Sequence, residues 1–262
     1  MSSTRNNKDN FYYDERMRKI EKSLEILISS QNELIKIAKQ SDEYLRKLSV
    51  CAEMYALPRT NKSLFRTASQ RAQERSLDII QTEMRDAVFF EDHDEFRLHA
   101  LNKAGPGCAL EFGVYNGYTL GHMAEHQPDR QFYGFDSFYG LPEEWAGYLE
   151  FDFNRDGVPP DMPKNVELIV GTFDQTLPLF SKRELDIAFI HIDCDIYSST
   201  KCIFDNIGHK LKSGCVLVFD EYFNYVGFEE HERKAFNEFL AASGRTIQWF
   251  SYSGQQCAGL LL

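Results

Sequence analysis

The chain is 262 residues long, 43% hydrophobic and carries a formal net charge of -11, which suits one sizeable α/β domain with an appendage. The charge is uneven: residues 1–60 hold 11 Lys/Arg against 9 Asp/Glu, leaving 18 against 31, or -13, in the remainder. That sign argues against binding to nucleic acid, which rests on neutralised phosphates, and against an anionic membrane surface. The six cysteines (Cys51, Cys108, Cys194, Cys202, Cys215, Cys257) show no C-x-x-C spacing and several sit in apolar runs, as expected of reduced core thiols. The first 30 residues lack a signal-peptide pattern and no run of about 18 apolar residues occurs, so no membrane span and a cytoplasmic location are expected.

From Tyr13 apolar residues recur at alternating steps of four and three: Met17, Ile20, Leu24, Leu27, then Gln31, Leu34, Ala38, Ser41, Leu45 and Leu48. This seam fits a coiled coil or one long amphipathic helix lying along its own domain. As a coiled coil it implies a homo-oligomer built through residues 13–48. Ala56-Leu57-Pro58-Arg59 breaks the pattern, giving an N-terminal helix over 1–60 and a mainly helical cap or linker over 61–104. Its acidic stretch Glu91–Glu95 around His93 reads as a solvated helix turn rather than a metal site.

After Gly105-Pro106-Gly107 strands alternate with helices over 105–262, the pattern of a Rossmann-like doubly wound, mostly parallel sheet. Strands are expected near 108–113, 131–136, 166–170, 186–193 and 214–220, with helices near 119–126, 199–212 and 228–242. The segments 246–251 and 257–262 around Ser253-Gly254 read as an antiparallel hairpin closing the sheet edge.

Chemistry concentrates at the carboxyl ends of the expected strands, where open parallel sheets bind ligands. The apolar run Ile187–Ile192 ends in Asp193 and Asp195, and the run Cys215–Phe219 ends in Asp220 and Glu221. Adjacent strands delivering carboxylates to one rim suit a hard cation. The first strand runs through Glu111 into Gly113 and Gly117, a turn before a helix start where a cofactor approaches backbone closely. Asp136 ends the next strand, where a carboxylate accepts from ribose hydroxyls. The turn is not G-x-G-x-x-G, which counts against a nicotinamide dinucleotide. Together these features favour an adenosine-containing cofactor without a pyrophosphate.

The runs Glu111-Phe-Gly-Val-Tyr-Asn-Gly117, Gly134-Phe-Asp-Ser-Phe-Tyr-Gly-Leu-Pro-Glu-Glu-Trp145, His191-Ile-Asp-Cys-Asp-Ile-Tyr-Ser-Ser-Thr200 and Phe219-Asp-Glu-Tyr222 resemble the macrocin O-methyltransferase family over residues 105–262. The resemblance implies a class I S-adenosylmethionine-dependent, divalent-metal-assisted O-methyltransferase acting on a hydroxyl of a sugar, glycan or related polyol. It assigns Glu111, Gly113, Gly117, Asp136, the adjoining Ser137 and Phe173 to the cofactor, and Asp193, Asp220 and Glu221 to Mg²⁺ or another divalent cation. Where many class I enzymes carry a third glycine, this chain has Tyr115. Asp195 is an alternative ligand, a base, or a cap for the helix starting near Ser198. His191 shares a strand face with Asp193, as a neighbour or proton acceptor in the site or as a buried, hydrogen-bonded strand histidine. Tyr197, Ser198 and Ser199 read as a helix start and His231 as a solvated helix residue. The segment 137–164 is long for a connection and reads as a lid, with Tyr139, Trp145 and Tyr148 expected to stack on a sugar ring. A nicotinamide-dependent oxidoreductase and an inactive coiled-coil scaffold are the competing readings.

Overall fold

The computed structural model describes residues 64–262 and, ahead of them, Gln31 alone. The heptad seam and the oligomer it implies lie outside the described residues. Helix α1 (Leu64–Glu83), a two-residue strand β1 (Val88–Phe89) and helix α2 (His93–Lys103) come first. Then follow β2 (Cys108–Phe112), α3 (Tyr118–His126), β3 (Phe132–Asp136), β4 (Val166–Val170), α4 (Phe173–Phe180), β5 (Ile187–Ile192) and α5 (Tyr197–Ile207). The chain ends with β6 (Val216–Phe219), α6 (Glu232–Ser243), β7 (Ile247–Ser253) and β8 (Gln256–Leu261). The eight strands form one sheet in the order β1-β7-β8-β6-β5-β2-β3-β4. Only β8 runs against its neighbours.

The chain leaves β2 towards β3 and β4 on one side and returns through β5 and β6 on the other. This reversal opens a crevice at the carboxyl ends of β2 and β5. Both strands are buried at every position, which is why they read as continuous apolar runs. On one sheet face Leu110, Phe112, Phe135, Ile190, Leu217 and Phe219 pack under side chains from α1, α4, α5 and α6. On the other, Ala109, Phe132, Phe189, Val216 and Val218 pack under α2 and α3. Glu111, His191 and Asp220 follow the second set by strand alternation.

Two elements depart from the expectation. Val88 and Phe89 break the helical segment by pairing parallel to β7, at Ser251 and Tyr252; two residues are too few to show a period. The hairpin forms, but β8 inserts between β6 and β7 and β1 takes the edge. Helix α4 fills the gap between β4 and β5, as alternation of strands and helices implies, although it spans 8 residues and contains Pro178, a residue that disfavours helix interiors.

Candidate active site

β2 runs out at Phe112 and the chain turns into α3 through Gly113 (φ 93), Tyr115 (φ 46) and Gly117 (φ 80). A Cβ on Gly113 would lie 1.6 Å from the carbonyl oxygen of Asp193, so only glycine lets the ends of β2 and β5 pass this closely. On Gly117 it would lie 2.7 Å from Met162 Sδ, and the reason is again packing of the chain on itself. Tyr115 adopts the left-handed conformation a glycine would favour. Its N–H and that of Val114 each donate to Asp136 Oδ2 at 2.8 Å, while Phe138 N–H donates to Asp136 Oδ1 at 2.7 Å. Asp136 therefore ties the turn down and keeps acceptor capacity on Oδ1 for a ligand hydroxyl.

Above this turn lies a cavity of about 640 Å³, lined among others by Gly113, Asp136, Ser137, Phe173, Asp193, Asp195 and Glu221. Its size suits a drug-sized ligand. Phe173 faces the cavity and packs edge-on against Phe112, with centroids 5.5 Å apart, so it is a core residue and a wall residue at once. Glu111 and Gly117 do not line the cavity.

The β2–β5 register places Glu111 beside His191, and both are fully buried. His191 Nδ1 lies 2.9 Å from Glu111 Oε2 and Nε2 lies 3.3 Å from Asp220 Oδ1. Each ring nitrogen faces a carboxylate oxygen, an arrangement that favours the charged imidazole. Burial works against that charge, yet the bonds to Asp220 and Glu111 outweigh it and push the His191 pKa up to about 10. Thr119 Oγ1 donates to Glu111 Oε1 at 3.0 Å. Gln256 Nε2 donates to Asp220 Oδ1, and Arg97 Nη1 stands 3.7 Å from that same oxygen. Burial opposes ionisation of Asp220, but the His191 hydrogen bond and charge hold its pKa below the usual value. With both ring nitrogens engaged by carboxylates, His191 has the surroundings of the buried, hydrogen-bonded strand histidine.

The second group is different. One oxygen from each of Asp193, Asp195 and Glu221 lies within 4.8 Å of the others. All three line the cavity. Burial, then the Asp220 charge, pushes the carboxyl pKa of Asp193 and of Glu221 well up, and that of Asp195 to about 7. Glu221 Oε2 is buried without a hydrogen-bond partner. An all-oxygen donor set with surplus negative charge and an orphaned oxygen fits a hard divalent cation. His191, Asp193 and Asp220 also converge within 4.8 Å, with both ring nitrogens of His191 already facing carboxylates. Asp195 sits at φ 66, a conformation that is strained for a non-glycine residue, and Ile196, not Asp195, is the N-cap residue of α5. The carboxyl of Asp195 faces the acids instead.

Three polar residues escaped the sequence reading. Glu232, the first residue of α6 and fully buried, accepts from Cys194 N–H at 3.5 Å and Glu221 N–H at 3.2 Å, tying together the loops after β5 and β6. Its run Glu229-Glu230-His231-Glu232 looks solvated in sequence. Arg97 also bonds Asp94 at 2.5 Å and Gln256 opens β8; neither lies near the acids in the chain. The stretch around His93 behaves as expected, with Asp92 accepting from Glu95 N–H at 2.8 Å as the cap of α2. Tyr197, Ser198 and Ser199 start α5 as expected, but Tyr197 and Ser198 do not cap it: their hydroxyls bond Glu238 and Glu143, each at 2.9 Å. The described cysteines are free thiols, four of them buried.

Comparison with known proteins places this geometry. Residues 110–222 match the family model described as a methyltransferase domain. No curated protein matches the sequence. Among solved structures, the calicheamicin methyltransferase CalS11 is 19% identical and superposes with a TM-score of 0.52 over 76% of this chain and 93% of its own. The O-methyltransferase NovP is 20% identical, with a TM-score of 0.49 over 64% of this chain and 78% of its own. CalS11 thus shares the fold of this chain, a Rossmann-like, mostly parallel α/β sheet with antiparallel C-terminal strands.

Proposed function

We propose that this chain is an S-adenosylmethionine-dependent O-methyltransferase that acts, with help from a divalent cation, on a hydroxyl of a sugar, glycan or related polyol. One observation carries this reading: the orphaned Glu221 Oε2 within a carboxylate trio, on the same cavity as the Asp136-braced turn. The cofactor would lie between the Gly113–Asn116 turn, Asp136, Ser137 and Phe173, and supplies an activated methyl group. Asp193, Asp195 and Glu221 would hold the cation, Asp195 in place of the expected Asp220, whose Oδ1 is engaged by His191 and Gln256 and which does not line the cavity; the cation would supply Lewis acidity that lowers an acceptor hydroxyl's pKa. Asp193 and Glu221 would position the acceptor oxygen, and Asp195 on the same cavity wall would be the carboxylate that takes its proton. His191, bonded to Glu111 and Asp220, holds the strand ends in register beneath them. The motif likeness to macrocin O-methyltransferases supports the same choice of cofactor and acceptor class.

The test is methyl transfer from S-adenosylmethionine to a panel of glycosides and sugar nucleotides with Mg²⁺, read as the mass gain of one methyl group. Activity should vanish with EDTA and return with Mg²⁺. Undiminished turnover in EDTA, or with Asp193→Ala, would remove the metal from the reading. Calorimetric binding of NAD with no binding of S-adenosylmethionine would overturn the whole of it.

A further inference from the structure

The chain between β6 and α6 brings Glu221 to the carboxylate trio, and helix α1 holds it in place. This helix lies ahead of the methyltransferase-domain match at residues 110–222, and none of the three residues it uses lines the cavity. Ser76, 3% exposed, donates through Oγ to Ala72 O at 2.7 Å and accepts the N–H of Asn224 at 2.8 Å. Arg75 pairs with Glu229 and lies over the Phe228 ring, 5.8 Å from its centroid. Glu83 accepts from both Nη atoms of Arg233, at 2.6 and 3.4 Å, and the same guanidinium lies over Tyr222, 5.0 Å from its centroid.

These ties fall at both ends of the connection. Asn224 sits at φ 70, a left-handed conformation that asparagine tolerates when its surroundings fix it, and Ser76 supplies the fixing acceptor. At the other end Glu221 N–H donates to Glu232 Oε2 at 3.2 Å, and the next residue, Arg233, is the one clamped by Glu83. On the cavity side Tyr225 packs against Trp145 and His231, with centroids 5.6 and 6.2 Å away. Trp145 and Tyr148, expected on a sugar ring, stack on each other at 5.4 Å and 12°.

We propose that Ser76, supported by Glu83, is a positioning residue for the cation: α1 fixes the backbone of residues 222–233 so that the Glu221 carboxyl meets Asp193 and Asp195. This rests on the metal-assisted reading of the trio. A hard cation needs its oxygen ligands held to within about 0.5 Å. Asp193 and Asp195 directly follow a fully buried strand, whereas Glu221 opens a long connection whose course α1 sets. The helix thus acts on cation affinity without touching cation, cofactor or acceptor.

The test is calorimetric Mn²⁺ binding to the full chain with S-adenosylhomocysteine present, in wild type, Ser76→Ala, Ser76→Thr and Glu83→Ala. Ser76→Ala should weaken Mn²⁺ about tenfold, the loss typical of removing a group that orients a metal ligand. Alanine favours a helix more than serine does, so that loss would not come from unwinding of α1. Ser76→Thr keeps the hydroxyl and should bind as wild type does. Glu83→Ala should weaken Mn²⁺ about threefold, because its ion pair is partly exposed. Affinity for S-adenosylhomocysteine should stay unchanged throughout. Mn²⁺ bound as tightly by S76A as by wild type, or a loss matched by an equal loss of S-adenosylhomocysteine affinity, would overturn the positioning role. If S76A does not fold, E83A decides by the same criterion. A wild type that binds S-adenosylhomocysteine but no Mn²⁺ would instead sink the cation reading, and the proposal with it.

Discussion

Two sets of acids stand at the same rim and are built to opposite ends. Glu111 and Asp220 are matched by donors: His191 bridges them, with Thr119 on one side and Gln256 and Arg97 on the other. Asp193, Asp195 and Glu221 have too few donors, raised pKa values and an orphaned oxygen. Identical residue types therefore divide into a structural clamp and a ligand-ready group. What separates them is the supply of buried donors, since an unpaired buried charge is unfavourable until a proton or cation joins it.

Substitutions in the two groups should move different observables. Asp193→Asn is expected to lower metal-supported methyl transfer by roughly 100-fold or more, as loss of a metal-bound charge would, while metal-free urea unfolding shows stability held or raised because a repelled charge is gone. His191→Leu should do the reverse, destabilising by about 3–5 kcal/mol because two buried carboxylates lose their cation. Equal destabilisation by the two substitutions would erase the distinction. Gln256→Leu removes one donor from Asp220 and should cost about 1–3 kcal/mol in the same unfolding assay, with cofactor binding retained.

The smallest effect concerns a buried group outside both sets. Burial pushes the Cys215 thiol up to about 12. A folded pKa above the unfolded one means that the unfolded state releases the proton first, so this contribution is complete below pH 9 and is lost as pH rises towards 12. Unfolding midpoints should fall over that alkaline window, and less steeply in Cys215→Ala. A parallel fall in the variant would assign the alkaline loss to other groups.

The order of strands and helices from Cys108 onward was legible because buried parallel strands are unbroken apolar runs, and because Asp193, Asp220 and Glu221 follow two of them directly. The strand-face alternation also placed His191 with Asp193. Arg97, Glu232 and Gln256 were illegible as parts of the rim: each comes from a distant element, and each sits in a run that looks like ordinary helix surface or strand.

The sequence by itself determined the sheet, the glycine turn and the acids at the strand ends, since these follow from local periodicity and short spacings; methyl transfer entered through the resemblance of its motifs to a known family. Only the tertiary structure decided which acids are neutralised and which await a ligand. It also showed that Gly113 yields to the Asp193 carbonyl and that the rings of Trp145, Tyr225 and His231 pack together. Charge pairing and burial depend on distances between elements far apart in the chain, and one-dimensional spacing does not carry them.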